Sequence, residues 1–283
     1  MGYELKVKND RGEVLSLSTS PTYNVYKVTG LQPPAVSINS SVNATTDGST
    51  VNSLRAGTRN IVLYMTLEGD VEKSRINLYR YFPLKKRITL YFKNGSRDVY
   101  IEGYVETIEC DLFTNKQIAQ ISILCPQPYF KGVDELVSYF NEVNALFEFP
   151  FSMPAEGVEL SSITANVRKS IINSGDVESG LIIDLYAVGD VVNPVIYDTF
   201  KRTSIKLLFS MRKGDRIVIN TNAGSKSIVL IREGITTNVM GYMTPDSTWL
   251  TLEAGDNVFT YECDSGSSNL QLTFTASVLY GGV

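Results

Sequence analysis

Apolar residues recur at every second position over much of this chain, the spacing of half-buried β-strands, and one stretch alone has helical spacing. Ile61 to Leu67 reads as a strand. In Arg87 to Lys93, Ile88, Leu90 and Phe92 point inward, and Asn94-Gly95 is the dipeptide preferred in two-residue hairpin turns. The returning strand changes phase. Val99, Ile101 and Val105 hold odd positions, whereas Ile108, Cys110 and Leu112 hold even ones, which predicts a bulge or a crossing between sheets near Glu106-Thr107. A second hairpin turns near Asn115 and returns through Ile118, Ile121 and Ile123. The helical stretch begins at Asp70, a capping residue, with Glu72 at its positive end. Val71, Leu78, Tyr79 and Phe82 form its apolar stripe, so Tyr79 and Phe82 are expected to face the sheet, and Pro83 stops it.

Other stretches are less regular. Residues 3–31 alternate weakly around Pro21 and lead to Pro33-Pro34, which suggests short strands and loops. Asn39 to Arg59 is rich in Ser, Thr, Asn and Gly and reads as a long exposed loop or arm, too polar to pack on a core. Pro126-Gln127-Pro128-Tyr129-Phe130 breaks the sheet. It divides the chain into a domain at 1–131 and a second at 132–283, with a linker running to about Asp134. Beyond it, short apolar runs follow one another: Leu181 to Val188, Ile205 to Met211, Arg216 to Asn220, Ser227 to Arg232, Trp249 to Leu252 and Leu270 to Leu279. Gly, Asn and Asp turns separate most of them and no helix interrupts, the pattern of an antiparallel β-sandwich. The fold class is therefore mainly β.

Composition narrows the chemistry. A length of 283 residues suits two domains. The net charge of −4 gives no general attraction for phosphate backbones, so no specific nucleic-acid binding is expected. Histidine is absent, which removes Ser–His–Asp and Cys–His catalysis and histidine-based zinc sites. Among the cysteines, Cys110 would face residue 120 or so across the hairpin. Cys125 would then lie ~16 Å away at strand rise, beyond the ~7 Å Cα separation of a disulfide. No apolar run approaches the ~18 residues of a membrane span, and the charged start Met1-Gly2-Tyr3-Glu4-Leu5-Lys6 is not a signal peptide, so cytoplasmic synthesis without membrane insertion is expected.

Glu102, Glu106, Glu109 and Asp111 cluster on one long strand. As a glycosidase pair, Glu102 and Glu106 would share a face only if no bulge intervenes and would then be ~13 Å apart, wider than the ~5–9.5 Å such pairs need, so a solvated face is the better reading. Asn222-Ala223-Gly224-Ser225-Lys226-Ser227 lacks the first Gly of a phosphate loop and joins two strands, so it reads as a hairpin turn. Trp249, Tyr242 and Tyr261 are sugar-stacking candidates, against which stands a core position for Trp249. The cation-interleaved run Tyr79-Arg80-Tyr81-Phe82 reads as packing rather than nucleic-acid binding. No catalytic, cofactor-binding or metal-ligating constellation emerges, and an enzyme is not expected. Long strands with unpaired edges call for a neighbour to cover them, which a closed ring of copies supplies.

Several ordered pieces resemble the distal tail proteins (Dit family) of long-tailed, non-contractile bacteriophages. In the first half they are Gly30-Leu31-Gln32-Pro33-Pro34, Asp47-Gly48, Arg59 to Leu63, the helix ending at Leu84, Val99 to Val105, and Leu124 to Phe130. In the second half they are Gly214 to Thr221, Ser227 to Leu230, Trp249 to Asn257 and the closing Tyr280-Gly281-Gly282-Val283. The resemblance implies a β-sandwich-like N-terminal belt domain with one helix and an extended β-hairpin, closing as a homo-hexameric ring, and a galectin-like C-terminal sandwich. It implies a structural hub at the virion tail tip, meeting the tail tube protein, tape measure, tail tip and receptor-binding proteins, with no cofactor. The alternative is a carbohydrate-binding module for host-surface attachment. If the ring surrounds the DNA path, Glu102, Glu106, Glu109 and Asp111 are candidates to line the channel and repel phosphate.

Overall fold

The computed structural model describes residues 2–42, 45, 47–111, 114, 117–145, 161–165 and 168–283, with the backbone alone for 141–145 and 161–165. The chain forms two compact units, Met1–Val133 with Leu279–Val283, and Asp134–Val278. Each has its own apolar cluster. The last five residues, assigned above with 132–283, thus belong to the first unit.

In the first unit the strands are β1 (Glu4–Lys8), β2 (Val14–Ser16), β3 (Tyr23–Thr29), β4 (Val36–Val42), β5 (Ser49–Ala56) and β6 (Arg59–Leu67). Helix α1 (Val71–Tyr81) follows, then β7 (Arg87–Lys93), β8 (Asp98–Cys110) and β9 (Ile118–Cys125). All pairings are antiparallel: β2 lies on β1, β1 on β7, β7 on β8, β8 on β9, β9 on β6 and β6 on β3. Strict alternation sends Leu5 and Val7, Ile88, Leu90 and Phe92, Ile121 and Ile123, and Ile61, Leu63 and Met65 to one face. The bulge expected in β8 is present. Val105 stands opposite Ile123 and Thr107 opposite Ser122, so Glu106 is the extra residue and Ile108 returns to the inner face behind Val105. Leu112 and the turn at Asn115 lie outside the described residues.

Helix α1 has Asp70 as N-cap, its side chain accepting from the Lys73 N–H, and ends where the Phe82 N–H donates to the Leu78 carbonyl. Leu78 and Phe82 are buried, and the Tyr23 hydroxyl donates to the Ser74 carbonyl at 2.9 Å. Tyr79 departs from expectation at 40% exposure, because the helix turns Ser74 and Leu78 inward and carries Tyr79 off that line. The turn after β7 also differs: Lys93 pairs with Asp98, leaving a four-residue loop. The Asn94 side chain accepts from the Ser96 and Arg97 N–H groups, a local bond that sets the wider turn.

In the second unit one sheet orders Leu270–Tyr280, Ile182–Ala187, Arg216–Asn220, Ser227–Arg232 and Ile235–Asn238. The other orders Arg168–Asn173, Gly255–Glu262, Val195–Asp198 and Thr203–Lys206. Leu272, Phe274, Ile183, Leu185, Ile217 and Ile219 from the first meet Ile171, Phe259, Tyr261, Ile196 and Ile205 from the second in one core. This is the antiparallel sandwich that the spacing of apolar runs predicts.

Candidate functional site

The polar stretch read as a long exposed loop or arm is an exposed hairpin arm. β4 and β5 pair from Val36↔Ala56 to Val42↔Ser49, with a register shift after Asn39 that leaves Asn52 as the extra residue. Following the alternation through that bulge puts Val36, Ile38, Val42, Val51, Leu54 and Ala56 on one face, together with Ser40 and Ser49 near the tip. The other holds Ser37, Asn39, Ser41, Thr50, Ser53 and Arg55. The apolar face has no core to cover it: Ile38 is 64% exposed, Leu54 66% and Val42 77%. The extended arm is therefore this hairpin. The hairpins of residues 87–123 are not part of it: they are sheet core, since their inner residues are buried.

The base of the arm is built around Arg59, the first residue of β6 and 3% exposed. Its Nη1 donates to the Gly30 and Gln32 carbonyls at 2.6 and 2.7 Å, on the segment leading into β4. Its Nε donates to Pro128 O at 2.6 Å and its Nη2 to Gly281 O at 2.6 Å. The guanidinium lies 4.6 Å from the centre of the Phe130 ring. Burial pushes its pKa below the ordinary arginine value. Four carbonyls around one guanidinium use its fixed fork of donors, which a lysine cannot imitate. Gly30 has φ +85° and an added Cβ would sit 2.0 Å from the Asn60 carbonyl, so this turn admits glycine alone.

The four carboxylates fall on the outer face of the same sheet. Glu102 alternates with buried Ile101 and Gly103, and its Oε1 is 3.6 Å from Arg87 Nη1. The bulge turns Glu106 outward, where Oε2 accepts from Asn60 Nδ2 at 3.0 Å and Ser122 Oγ at 2.9 Å. Glu109 and Asp111 are exposed beyond it. Beside Glu102, a pocket of about 140 Å³ is lined by Arg87, Ile101, Tyr104, Pro126, Gln127, Tyr129 and Lys131, so the face mixes both signs of charge with tyrosines.

The aromatic candidates in the second unit do not make a stacking platform together. Tyr261 is a core residue at 2% exposure, edge-on to Phe140 at 6.0 Å, and presents no ring to a sugar. Trp249 is half-buried and Lys226 Nζ sits 5.4 Å over its ring. Tyr242 is half-exposed and packs edge-on against Phe209 at 5.0 Å. Asn222 to Lys226 lie in the turn between strands that close at Asn220↔Ser227, the hairpin expected there. Among the described residues no group of three or more Cys, Asp or Glu is placed to hold a metal ion.

Sequence reasoning missed the arm's apolar face and Arg59. The signal for the first was present in Val36, Ile38, Val51 and Leu54, masked by the spacing of three between the last two.

Residues 174–277 match the family model described as siphovirus-type tail component, C-terminal domain. No curated protein sequence matches the chain. Among solved structures, the chain is similar to the SPP1 Dit protein, described as a paradigm of the hub adsorption apparatus in phages infecting Gram-positive hosts. Identity is 12%, the TM-score 0.67, and the match covers 97% of this chain and 98% of that one. It is also similar to a chain of the phage P2 baseplate in its activated conformation with Ca, at 12% identity and TM-score 0.53, covering all of both. The same baseplate with Sr gives 12% identity, TM-score 0.50 and 97% of each chain. The resemblance read from the sequence thus holds: over 174–277 the chain matches the siphovirus-type tail component C-terminal domain, and along nearly its whole length it has the fold of the Dit protein to which it is similar.

Proposed function

We propose that the protein is a structural, ring-forming hub at the distal end of a phage tail, joining the tail tube to the tip and its receptor-binding proteins. The observation that carries this reading is the arm, an amphipathic hairpin with an uncovered apolar face, on a fold shared from end to end with a hub protein. Val36, Ile38, Val42, Val51 and Leu54 are each more than half exposed. Covering each is worth about 1 kcal/mol, so one arm brings several kcal/mol to a contact with a neighbouring copy. β3 pairs with β6 alone among the described strands and leaves a second border open to a neighbour. In this reading the copies close as a homo-hexamer, the first unit, Met1–Val133 with Leu279–Val283, forms the belt and Asp134–Val278 the galectin-like module. The tape measure and tail tube meet the ring, and the protein acts in the virion after synthesis in the host cytoplasm without chemical turnover. The outer-face carboxylates Glu102, Glu106, Glu109 and Asp111 then line the passage for DNA.

Native mass spectrometry and negative-stain images of the purified protein, alone and with neighbouring tail proteins, test the reading. A six-fold ring is expected, and replacing 37–55 with a short turn should yield a folded protein that no longer assembles. Monomers under every condition, with partners present, would refute it.

A further inference from the structure

We propose that residues 280–283 form a strap that locks the base of the arm, so that the arm becomes competent to dock on a neighbour only once the strap is in place. This rests on the hub reading for what the arm contacts, but not for how its base is held. Both chain segments that enter the arm meet the strap. Arg59, just after β5, donates to Gly281 O at 2.6 Å and to Gly30 and Gln32 on the other root. The Val283 N–H donates to Leu31 O at 3.1 Å. Arg97 donates to the Gly282 carbonyl and lies 4.6 Å over the Tyr280 ring. Gly281 and Gly282 are both buried. At Gly282 an added Cβ would meet Pro33 Cδ at 2.9 Å and Leu31 O at 3.0 Å, so the strap lies flush against the root of β4.

Two physical consequences follow. Without Gly281, the buried Arg59 guanidinium has a donor facing no acceptor, so the shared anchor of the two roots loosens. And because the strap follows the entire second unit in sequence, the first unit stays incomplete until residues 134–278 have been made. A nascent chain then has an arm without a fixed direction, which defers pairing between copies until synthesis has passed the sandwich.

The test compares the full chain with Gly282→Leu, Arg97→Gln and a chain ending at Leu279. Hydrogen exchange reads residues 30–35 and 57–60, trypsin reads the peptide bond after Arg59, and native mass spectrometry reads assembly with tail partners present. Expected for Gly282→Leu and the shortened chain are at least tenfold faster exchange at both roots, cleavage after Arg59 and loss of rings. Trp249 fluorescence should be unchanged. Arg97→Gln should stay folded and show the same changes to a smaller degree. Unchanged exchange at the roots overturns the strap, and faster exchange with rings intact overturns its control of docking. If the full chain forms no rings with partners, the hub reading falls and root exchange alone judges the strap.

Discussion

Replacing Arg59 with methionine keeps an unbranched stem against Phe130 and removes all the guanidinium's donors from the base of the arm. Four hydrogen bonds from a charged group are lost, each worth about 1.5–3 kcal/mol. Against this, the buried cation no longer bears its desolvation cost, several kcal/mol for an ion. Among the described residues no carboxylate pairs with it, so the balance rests on carbonyls alone, and about 3–5 kcal/mol of destabilisation is expected. With a urea slope of about 2 kcal/mol/M, the first unit should unfold at a midpoint lower by about 1.5–2.5 M. The single tryptophan, Trp249, lies in the second unit, so its fluorescence follows that unit separately. Pulse proteolysis across a urea series, read by mass spectrometry, follows the first. A loss under about 1 kcal/mol would refute the reasoning, as would an equal shift in the Trp249 transition, because either would mean that the guanidinium does not hold the first unit together.

Three further outcomes are expected. Gly103→Ala places a methyl 2.7 Å from Ile123 Cγ2 and 2.9 Å from Cys125 Sγ, and overpacking of this kind should lower the first unit's urea stability by about 1–3 kcal/mol. Asp215 is buried, with both oxygens bound by Arg232 and one also by the Arg212 N–H, and these bonds hold its pKa below the ordinary carboxylate value. Its contribution is therefore complete above about pH 4, the unfolded value, and is lost as pH falls through the lower folded value. Thermal unfolding followed by Trp249 should show a drop below pH 4 that is smaller in Asp215→Ala, itself costing about 2–3 kcal/mol. The remainder comes from Glu253 and Asp246, whose pKa values hydrogen bonds also lower. Finally, burial pushes the Cys125 thiol up to about 12. A thiol reagent at pH 8 should leave Cys125 untouched in the native protein and find all three cysteines reactive in denaturant without reductant.

The parts of the structure legible in the sequence are those fixed by a period. Ile88, Leu90 and Phe92 alternate against a covered face, Asp70 and Pro83 bracket the helix, and the phase change after Val105 announced the bulge at Glu106. The apolar face of the arm was missed because its own bulge, at Asn52, breaks the alternation just where Val51 and Leu54 would otherwise have shown a common face. The four carboxylates do share a sheet face, but the tyrosines, Arg87 and Lys131 beside them come from other segments and were not visible along one strand. Tyr261 was a stacking candidate because a lone tyrosine in an alternating strand reads the same whether its face meets water or a second sheet.

What the sequence determined by itself is the mainly β architecture, its one helix, the sandwich after residue 134 and the lack of histidine chemistry, since backbone alternation and residue inventory are local properties. What only the tertiary structure decided is where chain segments far apart in number meet. Arg59 gathers the carbonyls of Gly30, Gln32, Pro128 and Gly281 across more than two hundred residues, and no spacing along the chain encodes that convergence, because a buried guanidinium selects its acceptors by geometry in space.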